Sequence, residues 1–368
     1  MNILNPAVSE VSIKIFTKFL MMRSSICLRI KIKYNITIMI YTYTNHLSKH
    51  NTFIKIKKIV SDFLTKNGYN EVIVPIISPA LIPESYLEIF KTTFFHENKK
   101  KDYYLIPSPE LFLKRLIPKI GSVFTITKSF RNKEPASSFH MPEFTMLEFY
   151  KINADYFDIA NDVLSMFKEI AQKLYKKTTL MYQNKLVDLT NWEYITIESA
   201  FAKYAQIKNI FNKSTFFEEA EKRGYNTKGF SYTDVWSQIY TQEVEPNLGT
   251  NGRPTIVYEY PIELAALAEI DKKKLVAKRF ECYIEGIELG NCAQETSGQS
   301  FNIEKKRFIH DLKERKKRGL EMHKEDYEFL HVVKNLPKCS GIAIGLDRLA
   351  MIFTNSKSIE ELQLITFS

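Results

Sequence analysis

Two glutamates seven residues apart, Glu281 and Glu288, flank a Glu285-Gly286 pair in the run KRFECYIEGIELGN, residues 278–291. With Glu285-Gly286 as a two-residue turn, the run is predicted to fold into a hairpin in which Ile284 faces Ile287, Tyr283 faces Glu288 and Glu281 faces Gly290. The two acids are then diagonal neighbours on one face, about 7 Å apart. Like charges that close repel unless solvent or a cation lies between them, and Mg²⁺ is typically held by one or two carboxylates together with substrate phosphates. Exposed surface acids account for the pair equally well at this level.

A second constellation lies in FRNKEPASSFHMPEFTMLEFY, residues 130–150. The segments 122–130 and 143–150 both alternate with period two, and the stretch 132–142 between them is rich in turn residues, so a long antiparallel hairpin is expected. Residues two apart share a face, which groups Phe144, Met146, Glu148 and Tyr150, with Arg131 at the end of the facing strand. An acid, a phenol and an arginine are costly to bury without partners, so the set is either a satisfied ion pair or a binding site. A third lies in SGIAIGLDRLAMIF, residues 340–353. There a strand containing Gly341, Ala343 and Gly345 runs into a helix opening with Asp347 and Arg348. Small residues let a ligand approach the backbone, and the helix start and Arg348 offer positive charge. The chain has neither a GxxxxGK[ST] run nor a GxGxxG after a strand, so any phosphate site is not of the P-loop or dinucleotide-fold kind.

Other elements must position these groups. Apolar residues at helical spacing predict a helix over 51–67 stopped by Gly68, followed by a β-branched strand over 69–79 that Pro75 interrupts. A strand over 103–109 leads through Ser108-Pro109 into a helix over 111–117, with Glu110 in its first turn. A helix is expected over 156–175. Residues 192–247 alternate helices and loops without a chemical signal. Residues 303–333 read as one or two charged helices whose basic run is a solvated face.

The 368 residues are 45% hydrophobic, with 20 Tyr and 26 Phe, enough for a sizeable core and far from a disordered composition. The excess of 52 basic over 42 acidic residues gives a net charge of +10, which favours anionic partners. Four widely spaced cysteines (Cys27, Cys282, Cys292, Cys339) contain no CxxC, an arrangement that suits a reducing cytosol and speaks against a disulfide framework or a zinc site. Charged residues interrupt every apolar run near the N-terminus before it reaches the roughly 20 residues of a membrane span. A cytoplasmic protein without membrane association is expected. Residues 1–44 differ from the rest and read as a poorly ordered extension, an edge ribbon, or sequence upstream of a start at Met39.

Three pieces, GYNEVIVP, the FRNKE…MPEFTMLEFY hairpin and GIAIGLDRLAMI, resemble motifs 1, 2 and 3 of the class II aminoacyl-tRNA synthetases, in that order along the chain. The match also takes in SPELFLKRL, VEPNLG and RFECYIEGIELGN, and covers about residues 45–368. It is closest to the lysyl-type ligases that modify elongation factor P and have no anticodon-binding domain. The resemblance implies an α+β fold, a mostly antiparallel sheet flanked by helices, as one catalytic domain over 45–368.

It also implies roles, residue by residue. Arg131 and Arg348 would be catalytic. Arg131 would bridge the substrate carboxylate and the ATP α-phosphate, while Phe144 and Arg348 would sandwich adenine. Asn132, Glu134, Leu289 and Gly345 would complete the ATP site, and Glu281 and Glu288 would hold Mg²⁺. Glu110 would accept the substrate's amino group near the reacting carboxylate; Glu148, Tyr150 and Glu295 would receive the far ammonium; Asn291 would orient the carboxylate; Ser108 and Ala343 would line the pocket. Acids at both ends suit lysine or β-lysine. The implied reaction forms an aminoacyl-adenylate and transfers the acyl group to a lysine of elongation factor P, with a homodimer expected and tRNA not expected as acceptor. Ala343, where lysyl-tRNA synthetases generally have glycine, supports the ligase. Three departures stand out: Arg131-Asn132-Lys133-Glu134 replaces Arg-x-Glu, Met141 replaces an asparagine, and Cys292-Ala293-Gln294 replaces Gly-Phe-x. Either Glu134 takes the adenine contact with a one-residue slip or that contact is lost. A relative acting on tRNA or a small amine, and a non-catalytic regulatory paralogue, remain alternative readings.

Overall fold

The computed structural model describes residues 41–97, 99–133, 137–296 and 301–367. Its centre is a nine-stranded sheet. Eight strands run in the order Glu193–Thr196, Thr255–Pro261, Val276–Ile284, Ile287–Gln294, Cys339–Gly345, Glu143–Ile152, Val123–Phe130 and Asn70–Glu71, and the short Ile270–Asp271 strand pairs Val276–Ile284 off that path. Pairing is antiparallel except at the two outermost contacts. Such a sheet can cover one face with helices and leave the other open to ligand.

The helices bury the back face. The Leu47–Lys66 helix starts four residues before the predicted 51, and turns Phe53, Ile56, Val60, Phe63 and Leu64 inward; Gly68, at φ 84°, ends it as expected. The Tyr156–Tyr175 helix has the predicted bounds and a capping box of Asp155 and Asp158. Both pack with the Leu346–Phe353 helix into one core that also takes Phe124, Leu147, Phe149, Ile342 and Ile344 from the sheet. On the central strands one face is therefore apolar and sealed, which leaves Glu148, Ala343 and Asn291 for the opposite face.

Several local expectations change in detail. The predicted 69–79 strand pairs only at its ends, as Asn70–Glu71 and Ile77–Ser78, because Pro75 cannot donate to a ladder. The predicted 103–109 strand lies earlier, at Lys99–Leu105, and Pro109 caps the Glu110–Ile120 helix rather than entering its first turn. The charged 303–333 segment, read as one or two helices, forms two, Phe301–Lys317 and Tyr327–Lys334. Its basic run is not wholly a solvated face: Arg315 is 1% exposed and donates to the carbonyls of Glu84 (2.8 Å), Leu87 (2.5 Å) and Glu321 (2.5 Å). Of the 1–44 segment only Tyr41–Tyr43 and the residue after it are described, and Tyr41–Tyr43 pairs antiparallel with Ile365–Phe367; the rest of that expectation lies outside the described residues. No helix among the described residues is long and apolar enough to cross a membrane.

Candidate active site

The open face of the sheet carries one row of residues side by side across five strands: Thr125, Glu148, Ala343, Asn291 and Glu281. The predicted register of the acidic hairpin is correct at Ile284–Ile287 and Tyr283–Glu288, and Glu285 and Gly286 take φ 51° and 72°, as a two-residue hairpin turn requires. Glu281, however, faces Asn291 and not Gly290. A bulge between Cys282 and Tyr283 leaves Leu289 without a cross-strand partner, and the extra residue reverses the parity of the strand beyond it. That reversal puts Asn291 on the same face as both acids.

Two cavities meet on this face. The first is lined by Arg131, Phe144, Glu281, Glu288, Leu289, Gly345 and Arg348 among others, which gathers the expected nucleotide residues except Asn132 and Glu134. Asn132 turns its amide oxygen to the Lys133 N–H (2.9 Å), and Glu134 lies outside the described residues. Lys133, at φ 54°, places its ammonium 3.0 Å from Glu88. The second cavity is lined by Ser108, Glu110, Glu148, Tyr150, Asn291, Glu295 and Ala343, the complete expected amino-acid set. Glu84, Arg131, Met146, Asn291 and Ala343 line both.

In the first cavity the Arg131 guanidinium lies 5.4 Å from the Phe144 ring centroid, and its buried Nε has no hydrogen-bond partner among the described residues. A buried donor without an acceptor is costly, and an anionic ligand would satisfy it. Arg348 is held on three sides, by the Phe139 carbonyl (Nε, 3.2 Å), the Glu288 carbonyl (Nη1, 3.0 Å) and the His140 ring (Nη2, 2.8 Å). A Cβ on Gly345 would meet only the Arg348 side chain, at an ordinary 3.6 Å, so the room this glycine leaves is on the cavity side.

The acid pair is asymmetric. Glu281 accepts from Arg279 (2.5 Å) and Asn291 (3.4 Å) on one oxygen and from Tyr283 (2.6 Å) and Tyr240 (3.3 Å) on the other. Among the described residues Glu288 has only Arg348, at 3.6 Å, and burial followed by the Glu281 charge pushes its carboxyl up. Glu245 joins them: burial and then Glu288 and Glu281 raise it to about 7. No group of three or more acids, histidines or cysteines among the described residues is placed to hold a metal ion by itself, so Mg²⁺ would need phosphate oxygens beside Glu288, the acid with the fewest partners.

The second cavity holds a cation of its own. Lys114, 1% exposed, reaches Glu110 at 2.5 Å and Glu295 at 2.6 Å and sits 5.7 Å from the Tyr150 ring centroid. Burial alone would lower its pKa, but the two carboxylates overcome that and hold it charged. Glu148 accepts from Ser108 (2.7 Å) and Tyr150 (2.8 Å), yet burial and then the Glu110 charge raise it to about 8. Gly341 forms the floor: a Cβ there would lie 2.2 Å from Cδ1 of Tyr150.

Sequence reasoning missed Lys114, although it stands four residues after Glu110 on a helix, a spacing that signals an ion pair. It also missed Tyr240 and Glu245, in the segment read as chemically silent, and Glu84 and His140, whose approach to the site is purely tertiary.

The family model for class II tRNA synthetases (D, K and N) matches residues 30–367. A relative from Buchnera aphidicola subsp. Schizaphis graminum, named elongation factor P–(R)-β-lysine ligase, is 34% identical over 328 residues, covering 85% of this chain and 95% of its own. One of the same name from Pectobacterium atrosepticum is 33% identical over 318 residues, covering 84% and 91%. The two cavities and the strands that build them lie within the matched span, and the chain belongs to the class II tRNA synthetase family of the D, K and N type.

Proposed function

We propose that this chain is an ATP-dependent ligase that activates lysine or β-lysine as an aminoacyl-adenylate and transfers it to a lysine side chain of elongation factor P. The observation that carries this reading is the meeting of the two cavities at Arg131, Asn291 and Ala343, with an acid-rich pocket on one side and the Phe144/Arg348 cleft on the other. The charges support a diamino acid. Three carboxylates (Glu110, Glu148, Glu295) less the Lys114 cation leave two negative charges when all ionise, which match two ammonium groups.

ATP enters the first cavity with adenine beside Phe144 and Arg348. The amino acid enters the second, with its ammonium groups among the acids and its carboxylate at Asn291. Arg131, which lines both cavities, aligns the carboxylate with the α-phosphate and offsets the charge that develops as oxygen attacks phosphorus. Pyrophosphate leaves, and the acceptor amine then attacks the acyl carbon and releases AMP. Mg²⁺, held by Glu288 with Glu281 beside it, would neutralise phosphate charge. Two chains are proposed to pair through the Pro75 region, where Ile73 is 100% exposed and Ile76 and Ile77 are also open.

Incubating the protein with ATP, elongation factor P and either lysine or β-lysine, then weighing the acceptor, tests the reading. A mass gain of one residue is expected. Normal adenylate formation with no gain on the acceptor rejects it, and charging of tRNA would favour a synthetase instead.

A further inference from the structure

Glu84 is the one acid among the five residues that line both cavities. It lies in the loop between the Ile77–Ser78 and Lys91–His96 strands, preceded by Pro83, and is exposed to the cavity space it lines. No hydrogen bond or ion pair among the described residues engages its carboxylate, in contrast to Glu110, Glu148, Glu281 and Glu295. Its backbone is fixed instead: buried Arg315 donates to the carbonyls of Glu84 and Leu87, and Ser85 donates to Asp311. The neighbouring Glu88 is tied to Ile89 N (3.1 Å), Glu321 N (2.9 Å) and Lys133 (3.0 Å). A free carboxylate on a pinned loop, placed where the acyl group and the α-phosphate meet, has no role in holding the fold together.

The second half of the reaction lacks a proton acceptor. A lysine amine, with a pKa near about 10.4, reaches the enzyme as ammonium and cannot attack until it loses a proton. Of the other carboxylates of the site, Glu110, Glu148, Glu281 and Glu295 are already committed to Lys114, Arg279, Ser108 or the tyrosines, and Glu288 stands beside Arg348 at the phosphate end, where it is assigned to Mg²⁺. We propose that Glu84 is the general base of the acyl-transfer step, the group that accepts a proton from the incoming acceptor amine; this rests on the ligase reading above.

The acceptor's ammonium passes one proton to Glu84, and the freed lone pair attacks the acyl carbon. The acyl–oxygen bond to AMP breaks with its electron pair on the phosphate oxygen, and a second N–H proton leaves with AMP. Glu84 returns its proton to solvent once the product departs. The groups facing Glu84 suit the task. Although the side chain is open to the cavity, the protein walls around it shut out bulk water and, with Glu110 and Asp311, raise its carboxyl, while Arg131 and Arg315 oppose the rise and keep the ionised form accessible. A base whose pKa is moved toward the working pH is the more effective one.

The test separates the two half-reactions in Glu84→Gln. Transfer to elongation factor P is expected to fall by about 100-fold or more, the usual range for loss of a general base. Amino-acid-dependent pyrophosphate exchange should change far less, and hydroxylamine, an amine already neutral at pH 7, should still trap the acyl group. Glu84→Asp should recover part of the transfer rate, and raising the pH should speed transfer by Glu84→Gln more steeply than by the wild type. Transfer at the wild-type rate overturns the assignment. So does a parallel loss of exchange and transfer, which would make Glu84 a ligand for ATP or the amino acid. Wild-type enzyme that exchanges pyrophosphate but never modifies the acceptor overturns the ligase reading itself.

Discussion

Binding of the diamino acid should expel a proton from Glu148. Its carboxyl, raised to about 8 by burial and the Glu110 charge, is roughly nine-tenths protonated at pH 7 in the free enzyme. An ammonium arriving at Ser108, Glu148 and Tyr150 pairs with the ionised form, so about 0.9 proton is released per substrate bound at pH 7 and about 0.5 at pH 8. Ionising a carboxyl one unit below its pKa costs about 1.4 kcal/mol, which corresponds to about tenfold in affinity. Apparent affinity should therefore improve nearly tenfold between pH 6 and 7 and level off above pH 8. Calorimetric titration of lysine or β-lysine at pH 7, repeated in buffers of different ionisation enthalpy, gives the proton number from the slope. Glu148→Gln should abolish the release. A slope of zero at pH 7 in the wild type, or a release that grows as the pH rises, would refute the argument that Glu148 rests neutral in the empty pocket.

The same shift affects folding: a carboxyl held above its unfolded value near about 4.3 adds stability that is complete below that pH and lost as pH rises through about 8. Melting temperatures of the substrate-free wild type should fall relative to Glu148→Gln between pH 5 and 8. Lys114→Met removes the shared counter-ion of Glu110 and Glu295, a loss of about 3–5 kcal/mol for a broken buried pair. At about 2.1 cal/mol/K per residue over 368 residues, the melting temperature should drop by about 4–6 °C, with pyrophosphate exchange lost as well. Gly341→Ala places a methyl where the Tyr150 ring stands, so KM for the amino acid should rise strongly while KM for ATP stays within about twofold. Phe144→Ala should show the opposite split, with KM for ATP rising by about tenfold or more as the ring beside Arg131 is lost.

Much of this protein was legible in the chain itself, because much of it rests on local periodicity. Alternation at period two set the central hairpin at Val123–Phe130 and Glu143–Ile152 and put Phe144, Met146, Glu148 and Tyr150 on one face. Spacing at 3.6 set the Tyr156–Tyr175 helix, and the Glu285-Gly286 turn aligned Tyr283 with Glu288. Residue types at those positions were enough to expect an acid-lined pocket beside an arginine.

The tertiary structure decided the rest. A single bulged residue, Leu289, reversed the phase of the strand and brought Asn291 onto the acid face, and Gly290, with no side chain to read as apolar or polar, hides that reversal in the sequence. Lys114 meets Glu295 across 181 residues of chain, Tyr240 meets Glu281 across 41, and Arg315 pins Glu84 across 231. Each of these depends on how separate elements pack, and packing distance is not written in local spacing. Composition treats a lysine as solvated by default; only a pocket with two carboxylates within hydrogen-bond reach can hold Lys114 dry and charged, and the fold alone assembles that pocket.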